Sequence, residues 1–194
     1  MKPKPWSHTA LDTFKTCPRQ YHAKYVTKSV QEEKTDAMIW GERVHKAFEL
    51  RQTDGTPLPA GLEQHEPYMQ KLEALPGIHM VEQKAPDEPI VLVDYKTGKP
   101  HQKFEQLSLF ALHTFAMYPK HELIYVRYYW TKTGEESRWS YRRDDIAAMW
   151  GKFVPDLRQF AEAFKTDTWQ PRQSGLCNGW CPVKDCEFWK PKRR

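Results

Sequence analysis

Asp94-Tyr95-Lys96-Thr97-Gly98-Lys99 closes the apolar run Ile90-Val91-Leu92-Val93. Four β-favouring residues predict a buried strand, and the glycine marks its end. A carboxylate and an ammonium two residues apart on a strand share a face, because side chains alternate with period two. The pair suits phosphoryl chemistry. Asp94 can hold a hard divalent cation, and Lys96 can stabilise a developing anion or orient a water. Taken alone, the hexapeptide reads as a strand end with a solvated ion pair; the rest of the chain changes that reading.

The cysteines form a second constellation. Cys17 is isolated, whereas Cys177, Cys181 and Cys186 make a C-x3-C-x4-C run. Scattered buried thiols are a poor account of three cysteines within ten residues. Two disulfides need an oxidising compartment that nothing else in the sequence supports. A four-cysteine zinc site usually draws on two short C-x2-C pairs. An iron–sulfur cubane has four iron corners, each taking one thiolate, and one distant plus three clustered cysteines can satisfy it. Cys17-Pro18 and Cys181-Pro182 also echo the proline often found beside cluster ligands. The cubane is the preferred reading and zinc stays open. A structural role is expected, because a loop-rich terminus with little core needs a strong clip.

The elements that must position these residues follow from periodicity. Ser7 is an N-cap for a helix reaching about Val26, with Leu11, Phe14, Cys17, Tyr21 and Tyr25 on one face and a disturbance at Pro18. A second helix is expected from Asp36 to about Arg51, burying Ile39, Val44 and Phe48. Residues 53–60 form a loop around Gly55, Pro57 and Pro59. Gly61 to Leu75 is a weaker helix ended by Pro76-Gly77. Ile78–Gln83 and Ile90–Lys96 read as strands. Phe104–Met117 is an amphipathic helix carrying Leu107, Phe110, Ala111 and Phe115. Leu123–Thr131 and Glu136–Tyr141 form a hairpin, and Asp144–Phe164 a last long helix with Ile146, Trp150, Phe153, Leu157, Phe160 and Phe164 inward and a kink at Pro155. This order predicts an α/β (α+β) core.

At 194 residues the chain is expected to be one domain with a sizeable core. Lys plus Arg number 30 against 25 Asp plus Glu, and the tail Lys190-Pro191-Lys192-Arg193-Arg194 is basic, a balance that suits a polyanion partner. No run approaches the ~18 apolar residues of a membrane span. Residues 1–9 lack the apolar stretch of a secretory signal. A cytoplasmic protein with reduced or ligand-bound cysteines is the simplest expectation.

Further polar residues complete the pattern. His45 stands mid-helix in Gly41-Glu42-Arg43-Val44-His45, with Glu49 one turn on at i+4. Glu82 closes one strand, and Gln106 opens the helix after the Asp94/Lys96 strand. In this order they resemble the RecB-type branch of the PD-(D/E)xK nuclease superfamily, most closely its small iron–sulfur members related to the CRISPR-associated exonucleases and AddB. The matching pieces are Ser7-His8-Thr9-Ala10-Leu11 through Phe14 to Tyr21, Gly41-x3-His45, Asp94-Tyr95-Lys96-Thr97-Gly98, Gln106-Leu107-Ser108-Leu109-Phe110 and the three C-terminal cysteines. They span nearly the whole chain.

The resemblance implies a restriction-endonuclease-like core, a central mixed sheet flanked by helices, with residues 1–30 and 167–194 forming a 4Fe–4S lobe on a single nuclease domain. It implies Mg2+ or Mn2+ on His45, Asp94 and, more weakly, Glu82; Lys96 as catalytic lysine; Gln106 as a positioning residue; and Cys17, Cys177, Cys181 and Cys186 as cluster ligands. The expected activity is metal-dependent exonucleolytic cleavage of single-stranded or free-ended DNA. Phosphodiester hydrolysis needs an activated water and charge neutralisation at its transition state. Lys24, Lys28, Lys99, Lys103, Arg142 and Arg143 are candidate phosphate contacts. Trp40, Trp130 and Trp139 are candidate base-stacking platforms, with core packing the competing use of a tryptophan.

The sequence departs from the family in three places. Phe110 stands where the family often has Tyr, and the cysteine spacing is not its commonest version. Third, only eleven residues separate Glu82 from Asp94, too few for the strand that carries the family's principal metal-binding aspartate. Asp87 is no substitute: seven extended residues place it roughly 23 Å from Asp94. The abrupt passage from Glu82-Gln83-Lys84 to Ala85-Pro86-Asp87 fits a segment omitted near Lys84–Pro86, which is expected to show as a break in chain geometry. The rival is a non-catalytic nucleic-acid-binding or assembly subunit with an incomplete metal site. A zinc-stabilised interaction module is the remaining alternative.

Overall fold

The structure, a computed structural model, is described for residues 6–31, 33–75 and 90–192. It divides into two compact units, one made of residues 1–33 and 150–194, the other of residues 34–149. The expected strand Ile78–Gln83, the helix stop at Pro76-Gly77, Glu82, and the Lys84–Pro86 junction lie outside the described residues. Among the described residues no helix is long and apolar enough to cross a membrane.

The first unit is built from the chain's two ends. α1 (His8–Thr16) starts where Ser7 Oγ accepts the Ala10 N–H at 3.2 Å. The anticipated disturbance at Pro18 is a full break. Cys17 is extended (φ −160°, ψ 111°) and α2 (Pro18–Tyr21) restarts with proline at its first turn, where a missing N–H costs nothing. A π-helical turn, His22–Val26, follows. These pack against the long helix α6 (Ile146–Thr166), which runs through Pro155 without ending. Phe14, Tyr21, Phe160, Phe164 and Trp169 form an aromatic core with centroids 4.9–6.4 Å apart. Tyr25 is half-buried on its flank, 5.0 Å from Tyr21.

The second unit holds the sheet. β1 (Ile90–Lys96) pairs in parallel with β2 (Leu123–Trp130), which pairs antiparallel with β3 (Glu135–Arg142) through the predicted hairpin turn. One sheet face carries Val93, Tyr95 and Tyr129 into an apolar cluster. Its other members come from α3 (Asp36–Asp54), the following loop and α4 (Glu66–Glu73): Val44, Phe48, Leu58, Leu62, Tyr68, Met69 and Leu72. The weak helix expected over residues 61–75 is a 3-10 turn, Glu63–His65, feeding α4. α5 (Glu105–Met117) serves the other face and buries Leu107, Leu109, Ala111, Leu112 and Phe115.

Two residues expected inside are outside. Ile39 is 52 % exposed and Phe110 is 38 % exposed. The inward stripe of α3 is Val44 and Phe48, and Ile39 lies off it by the 100° step per residue. α5 buries so many positions that Phe110 occupies the remaining outer strip.

Candidate functional site

Strand alternation puts Asp94 and Lys96 on the α5 face of β1, with Tyr128 and Trp130 as their partners on β2. Lys96 Nζ donates to Gln106 Oε1 at 2.6 Å. It lies 2.9 Å from Asp94 Oδ2 and 5.2 Å above the centroid of Tyr128. The contact to Asp94 is an ion pair, and among the described residues the buried Oδ2 has no hydrogen-bond partner besides it. The sequence pairing of Asp94, Lys96 and Gln106 is therefore a physical cluster. Tyr128 is the member that sequence reasoning missed. Burial and the nearby Asp94 carboxylate push its phenol up to about 12, so it stays neutral and offers its ring face to the ammonium. Its one sequence signal is a place on the expected Leu123–Thr131 strand; the pairing of that strand with the Asp94 strand is seen in the structure alone.

His45 is brought elsewhere. It is exposed on α3, and its ring lies 6.2 Å from Tyr95, which faces away from Asp94 across β1. α3 does come close to the end of β1. A Cβ on Gly41 would sit 3.4 Å from Thr97 Oγ1, in van der Waals contact with it. Among the described residues, no three His, Cys, Asp or Glu side chains gather as an ion site; Glu82 lies outside them.

A divalent cation fits the described site in one respect. Asp94 Oδ2 is buried with the Lys96 ammonium as its one charge partner among the described residues, and a carboxylate has lone pairs left for a hard cation. Mg2+ in particular binds through one or two carboxylates plus waters and substrate phosphates. Asp94 would be that carboxylate.

The candidate nucleic-acid contacts separate into two groups. Lys99 and Lys103 are exposed on the loop between β1 and α5, and Lys24, Lys28 and Arg142 are not drawn into the core either. Arg143 is corrected to a structural role. Its guanidinium donates to the carbonyls of Phe115, Tyr118 and His121, pairs with Glu122 at 3.3 Å and lies over the Phe115 ring. It ties the end of α5 to the start of α6 and has no fork left for a phosphate. Trp130 is corrected likewise: it is 1 % exposed and its Nε1 donates to Ser137 Oγ at 2.8 Å. Trp40 is 40 % exposed with Arg43 over its ring, and Trp139 is 58 % exposed.

In the first unit, Cys17, Cys177, Cys181 and Cys186 all line one small pocket with Arg19, Gln20, Arg172 and Trp189. The thiols sense one another: burial and the neighbouring Cys17, Cys177 and Cys186 push the Cys181 thiol up. Backbone N–H groups of Arg172 and Ser174 point at Cys17 Sγ and Cys177 Sγ, each at 3.4 Å. The C-terminal segment is held to the helices by Arg19, which pairs with Asp185 and Glu187, and by Arg172 donating to the Lys15 carbonyl. Gly179 adopts φ +85°, and a Cβ there would meet the Lys192 backbone at 2.5 Å. Only glycine lets the segment fold back this closely.

The family model of the PD-(D/E)XK nuclease superfamily matches residues 5–83. No curated protein matches the chain. Enzymes of that superfamily are generally nucleases that use Mg2+ or Mn2+ on DNA. The matched stretch ends before Asp94, Lys96, Gln106 and the three C-terminal cysteines. The clustered triad is thus an observation separate from the match, which by itself suggests a nuclease.

Proposed function

We propose that this protein is a metal-dependent deoxyribonuclease of the RecB-type branch, acting as an exonuclease on single-stranded or free DNA ends, with a structural 4Fe–4S cluster in its first unit. The observation that carries the reading is the Asp94–Lys96–Gln106 cluster, a buried carboxylate beside an ammonium that Gln106 holds in place. A cation on Asp94 would supply Lewis acidity and lower the pKa of a bound water. Lys96 has three N–H donors. Gln106 takes one and Asp94 fixes the ammonium electrostatically, so a remaining donor can face a phosphate oxygen as its negative charge grows. Tyr128 and Gln106 keep that ammonium from swinging away.

The four thiols support a shared metal group because all four line one small pocket. A zinc ion needs four sulfurs about 2.3 Å from one centre, whereas a cubane takes one thiolate at each of four corners. The N–H groups aimed at Cys17 and Cys177 suit sulfurs that carry negative charge.

Cleavage of end-labelled single strands, linear against circular, with and without Mg2+ or Mn2+, tests the activity. Linear strands are expected to be shortened from an end and circles spared. Asp94→Ala and Lys96→Ala are each expected to lower the rate by about a thousandfold or more, the scale of losing one preorganised electrostatic contact or metal ligand. Full cleavage by the double variant would overturn the assignment. A second reading, a nucleic-acid-binding subunit without turnover, is favoured by the exposed position of His45 on α3, where its ring neighbour is Tyr95 and not Asp94. Binding without metal-dependent cleavage by the wild type would select it.

A further inference from the structure

The α5 face of the sheet carries more than the Asp94–Lys96–Gln106 cluster. From the Tyr128 ring under Lys96, Phe104 stacks at 5.7 Å with the planes 17° apart, and Trp139 stacks on Phe104 at 6.1 Å and 30°. Ser137, Trp139 and Tyr141 share this face of β3 by alternation. Ser137 is used by Trp130 Nε1, and the buried Tyr141 donates to the Phe104 carbonyl at 3.4 Å. Trp139 alone of the three stays open, at 58 % exposure. A row of rings therefore leads from the lysine to an uncovered indole.

The adjoining loop supplies charge of one sign. Residues 97–104 contain Lys99, His101 and Lys103 and no acidic residue. Both lysines are exposed, and among the described residues neither forms an ion pair. His101 is set edge-on to Tyr128 and Trp130 at 5.7 and 4.8 Å, and its Nδ1 accepts the Lys103 N–H at 3.2 Å. An open aromatic face beside exposed cations matches a single nucleic-acid strand, whose unpaired bases offer π-faces and whose backbone offers phosphates. A duplex hides the base faces in its own stack.

We infer that Trp139 is a stacking platform for an unpaired base of a strand entering the candidate active site, with Lys99 and Lys103 on the flanking phosphates. The inference rests on the nuclease reading and names the strand's seat. The test is equilibrium binding of a labelled oligo-dT strand by fluorescence anisotropy, in EDTA so that no cleavage intervenes. Trp139→Ala is expected to weaken binding about tenfold, and Trp139→Phe by no more than about threefold. Lys99→Ala with Lys103→Ala is expected to reduce the salt slope, −dlog K/dlog[salt], by about 1.4. An oligonucleotide bearing 5-iodouracil is expected to photocrosslink to the peptide containing Trp139. If Trp139→Ala binds within twofold of wild type and the crosslink maps elsewhere while the wild type still cleaves DNA, this inference alone fails. If the wild type neither binds the strand nor cleaves with metal, the nuclease reading fails with it. Because Trp139 is exposed, its variants are checked as folded by an unchanged melting temperature.

Discussion

The two units place their chemistry on different foundations. In the second, Asp94, Lys96 and Tyr128 stand on paired strands, and register alone brings them together. In the first, the four thiols stand at a helix break and along a C-terminal segment whose regular structure is one 3-10 turn, Gly175–Cys177, and one isolated bridge, Asn178 with Lys190. A strand-borne site is preorganised by the fold itself. A loop-borne one relies on whatever the loops bind, since surface ion pairs such as Arg19 with Asp185 and Glu187 each contribute little. The two units should therefore respond differently when a ligand is removed.

The sharpest way to break this contrast is Cys177→Ala. A group held at 100 times its dissociation constant stabilises its site by about 2.7 kcal/mol. Losing it is expected to speed amide exchange over residues 167–192 about a hundredfold and, for the 4Fe–4S cluster proposed above, to remove the brown colour and about four irons per chain. Exchange in β1, β2 and α5 is expected to stay as in the wild type. Hydrogen exchange read by mass spectrometry, with iron analysis, checks both halves. Equal loosening of the two units would refute the contrast, and a colourless, zinc-loaded wild type would replace the cluster by zinc.

A smaller effect probes the second unit. His65 is buried beside Phe48, and its Nδ1 lies 2.8 Å from the Tyr129 hydroxyl. Burial holds its pKa below the usual histidine value. In the unfolded chain the ring takes up a proton near pH 6.5, while the folded ring resists. The unfolded state then binds more protons, so stability falls as pH drops below about 6.5 and levels off once the folded ring also protonates. Thermal melts between pH 5 and 8 should show that decline, and His65→Gln should flatten it. An unchanged slope in the variant would assign the pH response elsewhere.

What the sequence revealed, and what it hid, follows the same line. The β1 strand, its DxK pair, the Ser7 cap and the break at Pro18 were legible because each depends on local rules: alternation, capping and the missing proline N–H. Tyr128 was not, because its role depends on which strand lies beside β1. Trp130 and Trp139 share a residue type and a sheet face, yet one is sealed and the other open. The difference is that β2 is flanked by β1 and β3, and pairing order is not written in either strand. Arg143 announces a charge but not its partners, and three carbonyls at the end of α5 claim it. His45 sits one residue from the buried Val44, and that 100° rotation decides between core and solvent.

The smallest prediction returns to the first unit and isolates a contribution that owes nothing to a bound group. Ser7 is extended (φ −119°, ψ 167°), its Oγ accepts the Ala10 N–H, and its carbonyl accepts the Leu11 N–H at 2.9 Å. Only the first of these bonds is lost in Ser7→Ala, which leaves one of the helix's four free N–H groups without its partner. The cost is about 1 kcal/mol, or about 2–4 °C in melting temperature for a chain of this size. Ser7→Asp should retain most of the stability, because a carboxylate caps as well and favours the positive end of the helix. Both changes should leave the iron content and the exchange of the second unit unaltered. If Ser7→Ala instead released the iron, the helix start and the thiol pocket would be one cooperative structure, and the pocket would owe its order to α1 as much as to its ligand.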